Sequence, residues 1–506
     1  MAKSQTLLAR LLNTADLPAI VPHLHPDVLH RVIQTCGLED CAELVVHATP
    51  AQLARVFDLD LWRARAPGRD ERFDAERFGV WLTVLADTGP EVAADKLARL
   101  DLDLVAGGFA QHIAAFDRAA VAPYTTLDGD QMPGRAPGSG LASEIGGYLI
   151  EARRMSAWDA IVEVLGSLAT ERPAYFHQLM RACVRLSDAA REEDASHTLL
   201  QDAEQHMFDL AGERDERREG QGYATPAQAQ AFLRSAGDLQ LDGDPPGPSP
   251  LVRAYLRAFD PMPPESHPSE TREAHGAPVE TVLEVLRDAG VLAPPPRALL
   301  APGDPAQSRF PWIETHVASH PESAEDLAYL ANVILAGCSV QGRPFTEREA
   351  GDAIVATCNL GLENWPSHWL DRDVVTAFQV GWTVLRRDVC VYTANMLVAV
   401  LAGLVLADRD TRLSIDRLRR DLIRHVAEGE AWRARPALDV ILTLDASAWA
   451  SLLGLIDEYP VLHAALDAGK RGARTIDPAD VTFISQNSDI AAVHGFVAEL
   501  ASILTG

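Results

Sequence analysis

The sequence predicts an all-α protein, with a superhelical N-terminal region of short helices followed by a C-terminal helical bundle. Three observations carry this. Ala, Leu, Arg, Asp and Glu dominate while aromatics make up only 6%, a balance that favours helix over strand. Apolar residues recur at three- and four-residue spacing along most of the chain. At 506 residues and 47% hydrophobic, the chain is too long for one core and apolar enough to bury several.

Residues 1–126 read as a short-helix repeat domain. LARLLNTADLPAIVPHL, HPDVLHRVIQTCG, LEDCAELVVHATP and AQLARVFDLDLW follow one another at about 12 to 14 residues per helix. Pro26 with Asp27, Gly37 ahead of Glu39 and Asp40, and Thr49 with Pro50 each join a stop to a capped start. Short antiparallel helices of this kind stack into a superhelix or a compact bundle. LDGDQMPGRAPGSGL at 127–141 then reads as a linker. Residues 142–240 form a second helical block, and its charged run Glu213–Glu219 reads as a solvated helix face. Residues 241–310 are a Pro/Gly-rich connector in which VETVLEVLRDAGVL is the one helix. The most apolar stretch, 311–506, is a C-terminal helical domain. Glu171, Pro173 and His177 are echoed by Glu458, Pro460 and His463, which suggests an internal duplication.

Charge excludes two classes of function. The formal net charge is -27. Sequence-independent nucleic-acid binding needs a positive surface that displaces counterions, and anionic lipid attracts cationic segments. The start, MAKSQTLLARLL, lacks the apolar run and cleavage site of a secretory signal. Six cysteines are scattered among apolar residues, as reduced core thiols are. The expected location is therefore cytoplasmic. Val389–Ala407 is the only candidate membrane span, 19 residues without a charge. Thr393, Asn395 and the flanking Asp388 and Asp408 favour a buried central helix over a span.

LHPDVLHRVIQTCGLEDCAELVVHATPAQLARVFDLDLW resembles the helical-repeat cytosolic domain of certain magnesium transporters, which is related to flagellar motor-switch helices. Leu24, Pro26, Asp27, Asp40, Glu43 and Leu44 fit its short-helix openings. The chain as a whole resembles a bacterial family of unknown function, through TPAQLARVFDLDLW, LAYLANVILAGCSVQGRPF, ATCNLGLE and REGQGYATPAQAQAFL. That resemblance implies a helical, cytoplasmic protein and brings no catalytic residues with it.

Three groups of residues could carry chemistry. His23, His25, His30, Cys36, Cys41 and His47 have zinc-ligand chemistry. Their spacing lacks the tight Cys pairs of a structural site, so no metal is expected. In GCSVQGRPFTER, Cys338, Gln341, Arg343, Glu347 and Glu349 could line a cleft. A nucleophilic Cys338 would need a nearby base such as His316, His320 or His368. The alternative is a loop between helices, with Thr346 and Glu349 as a capping box. In CNLGLENWPSHWLDRD, Asn359, Glu363, Asn364, His368, Asp371 and Asp373 set polar groups beside two tryptophans, Trp365 and Trp369. Asp58 with Asp60 and Asp101 with Asp103 recur at helix junctions and read as N-caps.

No phosphate loop, nucleophile elbow, H-E-x-x-H or EF-hand pattern is present, and no cofactor is implied. Two functions fit. One is a protein–protein interaction scaffold or adaptor, whose partner is another protein. The other is an enzyme or small-ligand-binding protein, with its site formed by Cys338, Gln341, Arg343, Glu347, Asn359, Trp365, His368 and Asp371.

Overall fold

The computed structural model describes residues 17–64, 68–118, 141–191, 200–246, 281–286, 289, 291–292, 308–321, 323–404, 408–428, 430–434, 449–463 and 481–499. The 127–141 linker (but for Leu141) and most of the 241–310 connector lie outside these residues. Among them the chain is mostly helical, with nineteen α-helices. They divide into two compact units. The first comprises Met1–Arg63, Glu71–Arg217 and Pro263–Leu292; the second comprises Ala64–Asp70, Arg218–Met262 and Ala293–Gly506.

The first unit begins with short helices that start where the punctuation places them. These are α1 (Leu17–Ile20), α2 (Pro26–Cys36), α3 (Ala42–His47) and α4 (Pro50–Asp60). Gly37 at φ 98° closes α2, in the region that favours glycine. Thr49 and Gln52 form a capping box on α4. Then come α5 (Ala75–Asp87), α6 (Pro90–Leu97) and α7 (Leu102–His112), followed after a sheet by α8 (Trp158–Glu171), α9 (Pro173–Arg191) and α10 (Leu200–Glu219). One core joins residues 20–115 with 148–183 and Leu210. The polypeptide on either side of the 127–141 linker thus shares one interior. Phe57 meets Trp81 edge-on at 5.0 Å, and Phe78 meets Phe109 at 5.8 Å.

The expectation of an all-α chain needs correction here. Strands β1 (Trp62–Ala64) and β2 (Glu71–Phe73) pair with each other, and β3 (Ile113–Asp117), β4 (Ala142–Ile145) and β5 (Tyr148–Ala152) form an antiparallel sheet in the order β3-β5-β4. Ile113, Ala115, Tyr148, Ile150 and Ala152 are buried while the intervening Ala114, Phe116, Leu149 and Glu151 are not, the period-two pattern of a half-buried strand. Gly146 and Gly147, at φ 58° and 86°, supply the two positive-φ residues that a tight hairpin turn demands.

The second unit packs α11 (Pro226–Gly237), α12 (Pro311–Ser319), α13 (Ser323–Gly337), α14 (Glu347–Glu363) and α15 (Val374–Val384) around one core. A π-helical segment, Leu385–Val391, leads into α16 (Tyr392–Gly403) and α17 (Arg409–Ala427). Shorter elements follow: α18 (Trp449–Leu455) and α19 (Asn487–Ala498), with hairpins β6 (Ser339–Val340) to β7 (Arg343–Pro344) and β8 (Val461–His463) to β9 (Val481–Phe483). Helices α14 and α15 touch backbone to backbone. A Cβ on Gly361 would overlap the Ala377 carbonyl, and one on Gly381 the Thr357 carbonyl.

Ala394, Leu397 and Leu401 of α16 are buried against Ile415, Leu418 and Leu422 of α17. Among the described residues no helix is long and apolar enough to cross a membrane; residues 405–407 of the candidate span lie outside them. The proposed duplication is not reflected in local structure. Glu171 and Pro173 sit at a helix–helix junction, whereas Glu458 and Pro460 lead into strand β8.

Candidate functional site

The residues singled out between 338 and 373 are engaged at several separate places, with Arg343 and Glu349 paired to each other. Gln341 and Gly342 have φ 54° and 76°, so they form the two-residue turn between β6 and β7. Cys338 is fully buried just before this hairpin. Burial and the Glu458 and Asp457 charges push its thiol far above its ordinary value, so it stays protonated and a poor nucleophile. Arg343 grips Glu349 with both terminal nitrogens, at 2.8 and 2.5 Å. Glu349 and Thr346 form the expected capping box on α14, and Glu347 is half-buried in its first turn.

Asn359 is buried and serves as a cap for another helix. Its Oδ1 accepts from the Trp312 and Ile313 amides at 2.9 and 3.2 Å, and its Nδ2 donates to the Ser485 carbonyl at 2.8 Å. Trp365 meets Trp369 edge-on. His368 and Trp369 both bond to the Gly243 carbonyl, at 2.9 and 2.8 Å. Glu363 accepts from the Asn487 amide, and Asn364 bonds the Asn487 side chain. Asp373 caps α15, and Asp371 is exposed. His316 and His320 stack on one another at 4.6 Å.

Sequence reasoning missed the group that surrounds Cys338. Glu458 is buried and accepts from the Ser339 amide at 2.8 Å and its hydroxyl at 2.6 Å. Asp457, also buried, accepts from the Gln341 amide. Burial raises the Glu458 carboxyl, opposed by the donors of Ser339 and Gln230 and by the Arg386 charge. Tyr459 bonds the Thr357 hydroxyl at 2.6 Å and the Ala353 carbonyl at 2.9 Å. The acidic pair therefore clasps the β6–β7 hairpin. Its signal was two acids inside the apolar run LLGLIDEYPVL, since acids are rarely buried without a dedicated partner.

All six cysteines are buried, and burial pushes the thiols of Cys41 and Cys183 up to about 12. A thiol reagent at pH 8 is expected to leave the folded chain unlabelled and to react with all six cysteines in denaturant. Rapid labelling of Cys338 in the folded protein would contradict this account. Among the described residues no three His, Cys, Asp or Glu side chains come together as a metal site.

In the first unit, Asp58 and Asp60 depart from the N-cap expectation. They lie buried in the last turn of α4, whereas Asp101 does cap α7. Asp60 accepts from Arg77 at 2.7 and 3.3 Å and from the Trp81 indole at 2.7 Å, and lies 3.4 Å from His30. Arg217 forks onto Asp58 at 3.0 and 2.8 Å. Arg214, within the run expected to be solvated, is fully buried. It pairs with Glu71 at 2.5 Å and lies 5.0 Å over the Trp62 ring. A cleft nearby, lined by Glu39, Glu76, Thr83, Asp87 and Ser156, encloses about 230 Å³, below the roughly 300–1,000 Å³ usual for a small-molecule site.

Helix α17 is basic within an acidic chain. Six arginines against three aspartates leave this helix at +3 in a chain of -27. Its inner face buries Ile415, Leu418 and Leu422. The outer face carries Arg409, Leu413, Arg417, Arg420 and Arg424, all exposed, at the spacing of one helical stripe. Leu413 and Ile423 are 57% and 52% exposed. Acidic relief on the helix comes from Asp416, 3.5 Å from Arg419, and Asp421, 3.3 Å from Arg424. Sequence reading passed over RDTRLSIDRLRRDLIRHVA, although a basic amphipathic helix is itself a recognisable pattern.

Comparison with known proteins bears on the first unit. Residues 1–197 match the model of a family of unknown function, DUF6178. The match takes in TPAQLARVFDLDLW, one of the four stretches behind the family resemblance, and covers less than half of the chain. No curated protein and no solved structure matches it.

Proposed function

We propose that this chain is a protein–protein interaction scaffold or adaptor, and that the outer face of α17 is its docking surface. The observation that supports this reading is the basic stripe of Arg409, Arg417, Arg420 and Arg424 around exposed Leu413. Arginine is among the residues enriched at protein interfaces, where apolar side chains supply buried area beside it. The polar side chains of the 338–373 region give the enzyme reading less support, because they cap helices and pair locally. In the same reading the protein is cytoplasmic. In it, too, the N-terminal region is a short-helix superhelix akin to the magnesium-transporter domain, and the C-terminal domain is a helical bundle.

The test is isolation of the tagged full chain from its native host beside an Arg417→Glu/Arg420→Glu/Arg424→Glu variant. The expected result is a stoichiometric protein partner on the wild type and its loss on the variant. A chain recovered alone with a retained small molecule would overturn the proposal.

A further inference from the structure

The first unit carries the electrostatic counterpart of α17. Helix α10 exposes Asp209, Glu213 and Glu216, and beside them Phe208, 73% exposed. We infer that the basic face of α17 docks on this acidic face of α10 in a second copy of the chain, an inference that rests on the interaction reading above.

The spacing supports it. Asp209, Glu213 and Glu216 step by four and then three residues, so they share one helix face. Read towards the N-terminus, Arg424, Arg420 and Arg417 step by the same four and three. An antiparallel pair of helices therefore sets Asp209 opposite Arg424, Glu213 opposite Arg420 and Glu216 opposite Arg417. At 100° per residue, Phe208 and Ile423 fall on the same side of that pair, so two exposed apolar side chains cover each other along its edge. The helices match in length, 20 and 19 residues, and antiparallel packing also opposes their dipoles favourably.

Three charge pairs flanked by apolar contact form the kind of mixed interface that sets register and partner choice. The intrahelical bond from Gln205 occupies one Asp209 carboxylate oxygen at 2.7 Å, and a carboxylate has acceptor sites for further donors. Both faces are present on every copy, so the α17 of one copy can meet the α10 of another.

The experiment is light scattering of the full chain across concentration at low and at about 1 M salt, where charge pairs are screened. Two variants accompany it: Arg417→Glu/Arg420→Glu/Arg424→Glu and Asp209→Lys/Glu213→Lys/Glu216→Lys. The wild type is expected to self-associate at low salt. Each variant alone should associate at least tenfold more weakly, with an unchanged far-UV spectrum. Mixing the two variants should restore association, because each reversed face then meets its complement. A wild type that stays monomeric at low salt, or association that survives both reversals, would overturn the inference. So would a monomer whose same arginines bind duplex DNA or phosphatidylserine vesicles. If the wild type is monomeric yet the host isolation yields a foreign protein lost on reversal, the second-copy inference fails and the interaction reading stands.

Discussion

Alanine at Gly361 or Gly381 will cost the second unit about 3 kcal/mol or more of stability. In both positions the added Cβ falls on backbone: the Ala377 carbonyl for Gly361 and the Thr357 carbonyl for Gly381. A flexible side chain could swing aside, but a helix backbone can only separate from its neighbour. Separation would loosen Ile354, Cys358, Phe378 and Trp382, which sit in the same core. It would also strain the bonds from the Trp382 indole and Thr383 hydroxyl to the Leu233 and Ala236 carbonyls, 3.0 and 2.6 Å. For a unit of this size, about 3 kcal/mol lowers the melting temperature by roughly 6–12 °C. Gly495→Ala is the control. That glycine lies in α19 with nothing within 4 Å of a built Cβ, so alanine there is neutral or stabilising by up to about 1 kcal/mol. Equal melting temperatures for Gly381→Ala and Gly495→Ala would contradict the packing of α14 on α15.

The second large effect lies in the first unit. Asp60→Ala is expected to destabilise it by about 3–5 kcal/mol, because removing one partner strands the others in a buried site. Arg77, the Trp81 indole and His30 would lose their shared acceptor. A pH signature distinguishes this from simple loss of volume. Burial tends to raise the Asp60 carboxyl, but hydrogen bonds from His30, Arg77 and Trp81 and the Arg77 charge outweigh it and hold it at about 2. The folded value is thus below the unfolded one. Its contribution, about 2 kcal/mol, is fully present above pH ~4 and is lost as pH falls towards 2. Chemical denaturation between pH 2 and 6 should show that acid-dependent component in the wild type and lack it in Asp60→Ala. Identical pH slopes for the two proteins would show that Asp60 is not held ionised by its partners.

Local signals were readable in the sequence and distant ones were not. Thr49 with Pro50, Gly37, and Thr346 with Glu349 were placed correctly, because a cap involves residues within one turn of each other. The β4–β5 hairpin was equally local and was overlooked. Gly146-Gly147 beside the strand-favouring Ile145, Tyr148, Leu149 and Ile150 is a hairpin signal, set in a chain whose Ala- and Leu-rich composition points to helix. The buried ion pairs were beyond reach for a different reason. Asp58 and Asp60 look like the caps at Asp101, but Asp58 pairs with Arg217, 159 residues away, and Asp60 with Arg77 on the next long helix. Likewise, Glu458 reaches Ser339 across 119 residues. In the 338–373 region the sequence grouped residues that are near in the chain. Helical geometry then sends Arg343 to Glu349, Asn359 to the start of α12 and His368 to Gly243.

Native mass spectrometry of the full chain, gently isolated from its host, tests the interaction reading most directly. The reading predicts the mass of the chain plus a protein, either a second copy or another acidic chain. That complex should be lost at high salt and absent from the Arg417→Glu/Arg420→Glu/Arg424→Glu variant. A single chain carrying a small molecule, unchanged by salt and by the variant, would contradict it.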